Sequence, residues 1–491
     1  MSGAVFTLGN SVSGSLGLGD ALSKFGRVAV TGLTIEQDPD TVNSYLTTRY
    51  AGLSAVTSGG VTTFLNPSLV VIPSAYNNGI VYSLHSKQVN TGDFTVTRNT
   101  EARRVNSAGR IASIGSGLPR LDYLTSGGTV GTPALLVEPA ATNLAPNANL
   151  MNQQDTPTAS GGVTFTTGST DFLAPDGTSA SINKYVGGAA SGATQNTRYG
   201  GTTIQASASG VHTFSVFVKR GATNPLDFCA LGFSLFGSSS GTMTSYFNLA
   251  SGTAITAGAS IQNYGNGWYR LISAPVTLAS ADLSGTVSFN LASTSGSLSF
   301  AASGALNLTA YTWGAQFEAG SVATSYIPTT TGTGSRSSDL VSATGAVSGS
   351  IGQTEGTIYA EVDIRNVGLG EGSIVTLFQA SNNYVEILRG TLNRIQASIT
   401  DSAGSTALTT TTNFITANSI YKIALGYKSG EFALYVNGTQ VATSSAARTI
   451  GGLTTVRLGS YSASFIFNDR IRAAALYTTR LTNQQLQLLT T

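Results

Sequence analysis

Apolar and polar residues alternate over much of the C-terminal third of the chain. In residues 358–365 (IYAEVDIR) every second residue is apolar, and residues 421–427 (YKIALGY) repeat the pattern. A period of two places alternate side chains on opposite faces of a strand, which predicts strands with one buried face. Residues 432–436 (FALYV) then run into Asn437-Gly438, the preferred dipeptide of a tight hairpin turn. The pattern predicts an antiparallel sandwich over residues 345–491, capped by a short helix that begins at Thr482.

The middle of the chain predicts a second sandwich. From residue 133 to residue 340, short apolar runs alternate with Gly, Ser, Thr and Asn turns. Residues 211–219 (VHTFSVFVK) place three apolar residues on one strand face. The fold class is therefore mainly β, with two antiparallel β-sandwich domains, of simple sandwich or jelly-roll type, after a small mixed N-terminal domain. Residues 332–352, rich in Gly, Ser and Thr, are interpreted as the linker between the sandwiches, with a boundary between about 335 and 355.

Residues 1–92 are interpreted as a separate unit and residues 93–132 as a connector. A helix is predicted after Asp38-Pro39, because a cap and a proline precede an apolar stripe at helical spacing. The stripe either docks on another surface or forms an internal core, and it consists of Val42, Tyr45, Leu46, Tyr50 and Leu53. Strands are expected in residues 61–72. The connector carries dense charge of both signs and is expected to be solvated or ion-paired.

The composition excludes several classes of protein. The chain has 25 Lys and Arg against 23 Asp and Glu, and only 10% of its residues are charged, compared with about 25% in an ordinary domain. This argues against a nucleic-acid partner, which requires a basic surface. No apolar run approaches the roughly 18 residues of a spanning helix, so no membrane insertion is expected. The start of the sequence lacks the pattern of a secretory signal, which predicts folding in the cytoplasm. The single cysteine, Cys229, is expected in a core.

Catalytic chemistry finds little support in the sequence. The only two histidines, His85 and His212, lie in different predicted units, which disfavours both a hydrolytic triad and a zinc site. Glu361 and Asp363 form the best pair for glycoside cleavage, since they share one strand face. We interpret them instead as part of an outward polar stripe of a sandwich strand, which continues with Arg365 rather than with a further acid. No catalytic residue, and thus no enzyme, is predicted.

The sequence offers candidates for sugar binding and for structural metal. Tyr384 and Tyr461 lie in turn-rich stretches, where loops carry binding, and Asn382 and Asn383 could supply amide hydrogen bonds to sugar hydroxyls. No cofactor is expected. Structural calcium through scattered acids, Asp401 or Asp469, stays open because no recognisable calcium loop identifies a site.

Two further pairs of residues are expected to be structural. Trp268 and Trp313 lie in strand-like segments and are interpreted as core. Glu138 and Glu318 sit beside apolar residues, where an unpaired carboxylate is costly, so each is expected to pair with an arginine. The candidate partners are Arg336 and Arg270.

Several segments resemble known families. The ordered set in residues 93–340 resembles the lead-in and carbohydrate-binding-module-like jelly roll of bacteriophage virion appendages. It comprises FTVTR (94–98), GRI (109–111), LPRLDY (118–123), PALLVEPAATNL (133–144), NGWYR (266–270) and WGAQFEAGSVATSY (313–326). The C-terminal unit resembles the concanavalin-A-like, laminin-G-type sandwich through GTIYAE (356–361), LYVNG (434–438) and RIR (470–472).

These resemblances imply a structural protein of a tailed phage virion. The expected role is a head- or tail-fibre appendage subunit, with residues 1–92 anchoring it to other virion proteins and the sandwiches facing outward to bind host-surface glycans. A homo-oligomer, in particular a trimer, is expected by analogy. Two alternatives stay open: a decoration protein without a ligand, and a glycan-degrading tail spike that uses Glu361 and Asp363.

Overall fold

The computed structural model describes most of the chain. The described residues are 48–49, 51–73, 94–125, 127–146, 164–179, 181–187, 196–206, 209–234, 243–280, 283–294, 296–298, 307–330, 332–410 and 415–491. The helical stripe expected at Val42, Tyr45, Leu46 and Tyr50 lies outside them, as does His85. Residues 51–54 are helical and lead directly into the first strand.

Strands dominate the first half of the described chain. In order they are β1 (Ala55–Ser58), β2 (Val61–Phe64), β3 (Leu69–Val71), β4 (Thr95–Thr97), β5 (Ala102–Val105), β6 (Ile111–Ile114), β7 (Arg120–Leu124), β8 (Val130–Val137), β9 (Ala141–Asn143), β10 (Thr164–Ser169), β11 (Ile182–Val186), β12 (Asn196–Gln205), β13 (Gly210–Arg220), β14 (Phe228–Ser234), β15 (Met243–Asn248) and β16 (Thr253–Ala254).

The second half continues in the same way and ends in a helix. The elements are β17 (Ser260–Asn263), β18 (Trp268–Ile272), β19 (Val276–Leu278), β20 (Ser284–Ala292), β21 (Thr309–Ala319), β22 (Gly334–Arg336), β23 (Leu340–Thr344), a 3₁₀ turn (Ala346–Ser350), β24 (Glu355–Ile364), β25 (Gly372–Ala380), β26 (Asn383–Gly390), β27 (Arg394–Asp401), β28 (Gly404–Thr409), β29 (Ser419–Lys428), β30 (Phe432–Val436), β31 (Thr439–Ser444), β32 (Thr455–Leu458), β33 (Asp469–Tyr477) and helix α1 (Asn483–Thr490).

Two antiparallel sheets, called here the first sandwich, form from the middle of the chain. One has the order β10-β11-β21-β13-β18-β17 with β19 beside β13, and the other has the order β12-β20-β14-β15-β16. The inward residues of β13 predicted from the sequence, Phe214, Val216 and Val218, are fully buried between them. Cys229 lies in the same core, as expected, and burial raises the pKa of its thiol.

Two further sheets form the second sandwich. One has seven strands in the order β28-β27-β26-β25-β32-β23-β4, and the other has eight in the order β31-β30-β29-β24-β33-β8-β7, with β3 also beside β33. The apolar residues of β24 and β29 fill the core between the sheets, as the two-residue period predicts. Asn437 and Gly438, both with positive φ, make the hairpin turn between β30 and β31. The prediction of a mainly β fold with antiparallel sandwiches is confirmed.

The strand pairing departs from the expected division of the chain. Strand β3, inside the predicted unit 1–92, pairs with β33. Strands β4 and β7, from the predicted connector 93–132, each join one sheet of the second sandwich. Strand β8, which spans the expected start of the jelly roll at residue 133, pairs with β7 and β33 in the same sandwich. The second sandwich therefore contains residues from both sides of the first, which is inserted between β8 and β23. A period of two indicates that a strand has a buried face, but it does not indicate which sheet the strand joins.

The expected linker is also structured. Within residues 332–352, β22 pairs with β9, and β23 pairs with both β4 and β32. Interpreting this segment as a linker was wrong, because partners far away in sequence supply the hydrogen bonds that its composition did not suggest.

A buried network of charges connects the two sandwiches. Arg120 Nη1 lies 2.6 Å from Glu138 Oε2 and its other terminal nitrogen contacts Asp339. Arg98 pairs with Asp339 at 2.8 Å, and Arg336 pairs with Glu138 at 3.0 Å. Burial alone would raise the pKa of Glu138, but Arg336 and Arg120 hold it well below its usual range. Glu138 thus pairs with an arginine as expected, and of the connector charges Arg98 and Arg120 are buried in ion pairs whereas Arg110 is exposed.

The remaining structural expectations concern the tryptophans, Glu318 and the terminal helix. Trp268 and Trp313 are 3% and 1% exposed, which confirms them as core. Glu318 forms no ion pair with an arginine within the described residues, contrary to expectation, because Gln316 and Thr324 donate to its carboxylate. Burial raises the pKa of Glu318, and the charge of Arg270 opposes the rise. Helix α1 begins after Thr482, as predicted, and packs on the outer face of the eight-stranded sheet. Within the described residues, no helix is long and apolar enough to span a membrane.

Candidate functional site

The outer face of the seven-stranded sheet carries the predicted tyrosines. Val385 and Ile387 of β26 point into the core, so Tyr384 and Glu386 point outward. Strand register places Tyr384 opposite Phe378 of β25. One step along the sheet, Glu386 lies opposite Thr376, which in turn lies opposite Arg457 of β32. Aromatic, acidic and basic side chains therefore occupy adjacent positions on one sheet face.

Four aromatic rings meet on this face and define what we call the aromatic patch: Phe378, Tyr384, Tyr461 and Phe465. Tyr461 is the centre, with its ring centroid 5.1 Å from that of Tyr384, 5.6 Å from that of Phe378 and 6.1 Å from that of Phe465. Three of the rings are half-buried, and Phe465 is 44% exposed. The structure thus brings together two residues, Tyr384 and Tyr461, that are 77 positions apart in the sequence.

A turn after β32 holds Tyr461 and Phe465 over the sheet. The backbone N–H of Tyr461 donates to the carbonyl of Phe465 at 3.1 Å, and the N–H of Phe465 donates to Ser462 at 3.3 Å. Ser460 forms a bridge with Ile466, which closes the base of the turn. Residues 461–465 are thereby fixed as a compact loop that presents aromatic side chains partly to solvent.

Arg457 lies against the aromatic patch. Its guanidinium carbon is 3.7 Å from the ring centroid of Phe378 and 6.0 Å from that of Tyr461, and Nη1 donates to the backbone oxygen of Tyr461. Stacking on an aromatic face is favourable for a cation and fixes the plane of the guanidinium. The patch therefore combines apolar ring surface with an oriented positive charge.

Glu386 is buried on the same outer face without an arginine partner among the described residues. Its Oε2 accepts a long hydrogen bond of 3.4 Å from the hydroxyl of Thr376, and that hydroxyl lies 2.5 Å from the hydroxyl of Ser373. Burial raises the pKa of Glu386 to about 7, with a further increase from Glu371, against the opposing effect of Ser373 and Thr376. The carboxyl is therefore close to half-protonated at neutral pH.

The two predicted asparagines occupy different environments. Asn382 is exposed in the turn between β25 and β26. Asn383 is half-buried, and its Nδ2 donates to the carbonyl of Gly451 at 2.7 Å. Asn383 thus anchors the turn that leads into Tyr384, whereas Asn382 is accessible to a ligand. Sugar binding by either residue stays a prediction.

Glu361 and Asp363 do not form an outward polar stripe. They are 3% and 7% exposed; Arg49, from the segment that covers the outer face of this sheet, contacts Glu361. Glu361 pairs with Arg49 and, at 2.8 Å, with Arg472; Asp363 pairs with Arg365 at 3.2 Å. The expectation of solvent exposure was wrong. Both carboxylates are engaged in buried ion pairs, an arrangement that fits a structural role better than acid-base work on a sugar.

The candidate calcium ligands are bound by protein donors. Asp401 accepts the backbone N–H groups of Ala403 and Thr449 and contacts Arg448 at 3.4 Å. Asp469 accepts two backbone N–H groups in a buried setting, where burial raises its pKa to about 6. Such donors stabilise the charge of a carboxylate without a bound cation. In the described part of the chain, no cluster of three or more acidic, histidine or cysteine residues is suited to a metal.

A cavity of about 320 Å³ lies on the opposite side of the second sandwich, between residues 49–57 and helix α1. Its polar groups already have partners: Arg49 contacts Glu361 and donates to the hydroxyl of Tyr359 at 3.0 Å, and Lys422 Nζ donates to Thr491 at 2.9 Å. The cavity contains none of the predicted sugar-binding residues. The aromatic patch is therefore the stronger candidate site.

Comparison with known proteins identifies the fold of the second sandwich. Residues 335–487 match a laminin-G family model described as the concanavalin A-like lectin/glucanases superfamily. This part of the chain is therefore a concanavalin-A-like sandwich, as its sequence resemblance implied. A search of curated proteins found no match for the chain.

Solved structures provide more distant matches. A leech intramolecular trans-sialidase complexed with 2,7-anhydro-Neu5Ac is 18% identical, with a TM-score of 0.25 over 28% of this chain and 23% of that chain. The CBM40 of a Ruminococcus gnavus IT-sialidase is 15% identical, with a TM-score of 0.25 over 28% and 84%. Domain 4 of AbnA, a GH43 arabinanase from Geobacillus stearothermophilus in complex with arabinotriose, is 13% identical, with a TM-score of 0.27 over 31% and 73%. At these scores the matches carry no argument about a ligand.

Sequence reasoning missed four residues of the site, and one of them, Phe465, lies in the loop after β32. Phe378, Glu386 and Arg457 each follow a core residue by one position, namely Leu377, Val385 and Val456. The two-residue period of these strands could therefore have assigned Phe378, Glu386 and Arg457 to an outer sheet face. Their proximity depends on β32 lying beside β25, a pairing of strands about 80 residues apart that no local pattern indicates.

Proposed function

We propose that the chain is a non-enzymatic saccharide-binding protein and that the aromatic patch of the second sandwich is its binding site. The observation that carries the proposal is the cluster of partly exposed rings around Tyr461, next to Arg457. Aromatic faces complement the C–H faces of pyranose rings, while the tyrosine hydroxyls and Asn382 supply hydrogen-bonding groups. The concanavalin-A-like fold is compatible with this role but does not specify it, because folds host many functions.

A binding experiment with patch variants tests the proposal. Purified protein is screened on an array of bacterial and other glycans, and hits are titrated by calorimetry. Tyr384→Ala and Tyr461→Ala are expected to weaken binding about tenfold each, equivalent to about 1.4 kcal/mol. Phe64→Ala is the matched control, because Phe64 is an exposed aromatic residue, 69% exposed, on the distant β2 hairpin. Binding that survives both tyrosine substitutions would place the site elsewhere.

The rival proposal of glycan cleavage is tested with the same ligands. Glu361 and Asp363 are buried in ion pairs, and a hydrolase would require two carboxyl groups flanking a scissile bond. Release of reducing ends is measured with the unmodified protein and with Glu361→Gln and Glu386→Gln. We expect no release from any of them. Release that either substitution abolishes would establish an enzyme.

We propose further that the protein serves on a bacteriophage virion, as an appendage subunit that attaches to host-surface glycans. This setting is supported by the resemblance of residues 93–340 to phage appendage proteins. Weak single-site affinity would suffice there, since several copies on one particle add avidity. Anchoring through residues 1–92 and assembly as a trimer belong to the same proposal. Antibody against the second sandwich should label phage particles in electron micrographs; unlabelled particles would contradict it.

A further inference from the structure

We infer that the aromatic patch selects saccharides that carry a carboxylate, and that Arg457 is the residue that binds this group. The inference rests on the proposed function and adds to it a ligand class and a specificity-determining residue.

The first argument is that Arg457, unlike many arginines of the second sandwich, has no acidic partner in the described part of the chain. Several of these pair with carboxylates of the protein, namely Arg98, Arg365, Arg448, Arg470 and Arg472. For Arg457, no carboxylate lies within ion-pair range among the described residues. A half-exposed guanidinium without an acidic partner is free to bind an external anion.

The second argument concerns the unused donors of the guanidinium. An arginine has five N–H donors in a planar fork, and the hydrogen bond to the backbone oxygen of Tyr461 uses only the Nη1 end. No nitrogen of Arg457 is both buried and without a partner in the described structure. The remaining donors therefore face solvent. They match the two oxygens of a carboxylate, which a guanidinium fork binds in a bidentate manner.

The third argument is preorganisation. The guanidinium lies 3.7 Å from the centroid of the Phe378 ring, and its contact with Tyr461 fixes one end of the fork. The plane is thus set before a ligand arrives, which reduces the entropy lost on binding. Because the Tyr461 ring centroid is only 6.0 Å from the guanidinium carbon, one sugar residue can stack on the patch while its carboxylate reaches Arg457.

The acidic residue on the same face does not oppose this assignment. Glu386 is separated from Arg457 by Thr376 in the cross-strand row and is 7% exposed. Burial keeps a large fraction of its carboxyl protonated at neutral pH. Arg457 is therefore the dominant charge that the patch presents to a ligand.

Matched neutral and acidic sugars test the inference. Trigalacturonic acid is compared with its methyl ester, and 3′-sialyllactose with lactose, by titration against the full chain. We expect at least tenfold tighter binding of one acidic member than of its neutral partner, with a preference that weakens as salt is added. Arg457→Gln should remove the preference and leave weak neutral binding. Lys428→Gln, which removes an exposed charge elsewhere on the sandwich, should leave the preference unchanged.

Arg457→Lys separates recognition from folding. Lysine keeps the charge but lacks the planar fork, so the preference should fall to an intermediate level, which a misfolded loop would not produce. An acid preference that persists in Arg457→Gln would overturn the inference, as would equal binding of a sulfated oligosaccharide. Equal binding of neutral and acidic sugars would overturn it while the proposed function stands. Absence of binding to every sugar would refute both.

Discussion

At the scale of single residues, Glu386 couples the candidate site to pH. Its folded-state pKa is raised by burial to about 7, above the value of 4.5 for an unperturbed glutamate. Between these values the folded protein holds a proton that the unfolded chain has released. The stabilising contribution is therefore complete below about pH 4.5 and is lost as the pH rises through 7.

Replacing Glu386 should remove this pH dependence. Glu386→Gln is expected to lose less stability than the unmodified protein between pH 4.5 and 7, by at most about 3 kcal/mol. Melting temperatures of both proteins are measured from pH 5 to 8. Glu431→Gln, at an exposed position of the same sandwich, is the control and should follow the unmodified protein. Parallel curves for Glu386→Gln and the unmodified protein would contradict the prediction.

Arg120 is a buried charge whose replacement is expected to lower the stability of the protein. It contacts Glu138, Asp339 and the hydroxyl of Ser325, so its loss leaves two buried carboxylates with fewer partners. Arg120→Met should destabilise the protein by about 3 kcal/mol, the lower end for a broken buried pair, because Arg98 and Arg336 remain. Denaturant unfolding measures the loss. Lys184→Gln breaks a partly exposed pair with Asp171 and should cost less than about 1 kcal/mol.

At the scale of elements, helix α1 depends on its first residue. The hydroxyl of Thr482 accepts from the N–H of Gln485, and the side chain of Gln485 accepts from the N–H of Thr482. Leu486 and Leu489 then pack on the sheet. Thr482→Ala should cost about 1 kcal/mol, because it leaves a helical N–H without its acceptor. Thr482→Ser keeps the acceptor and should restore the melting temperature; equal losses in both variants would show that the methyl group matters instead.

The strands and the helix also show which features of the fold could be predicted from the sequence. Strands β24, β29 and β30, the Asn437-Gly438 turn and helix α1 all have local signals, and all are present. That Glu138 requires an arginine partner also follows from its apolar neighbours in the sequence, although the sequence left Arg336 and Arg270 as alternatives. Strands β22 and β23 were not predicted because they are short and lie in Gly- and Ser-rich sequence. There, only pairing with strands distant in sequence forms the strand. For the site, Tyr384 and Tyr461 were identified separately, but their contact depends on sheet order.

At the scale of the whole molecule, the second sandwich is discontinuous in sequence. Leu69 and Val71 of β3, Phe94 and Val96 at β4, and Leu135 and Val137 of β8 all belong to its core. On its outer face, Leu53 and Val56 cover Tyr359 and Tyr477, and the hydroxyl of Tyr477 donates to the carbonyl of Leu53 at 2.7 Å. Residues 69–71, which the sequence analysis assigned to a separate unit, are therefore part of this sandwich.

A truncation series tests this dependence. The fragment 335–491, which spans the match to the family model, lacks β3, β4, β7 and β8 and would expose apolar surface in both sheets. The truncation removes six core side chains, five of them Leu or Val and one Phe, and at about 1.5–3 kcal/mol of burial energy each their loss is comparable to the usual stability of a domain. We expect this fragment to aggregate or to lack a cooperative melting transition. Residues 48–491 retain all these strands and should unfold cooperatively. A fragment 335–491 that is monomeric and melts near the longer chain would show that β24–β33 form an autonomous sandwich, to which the earlier strands only attach.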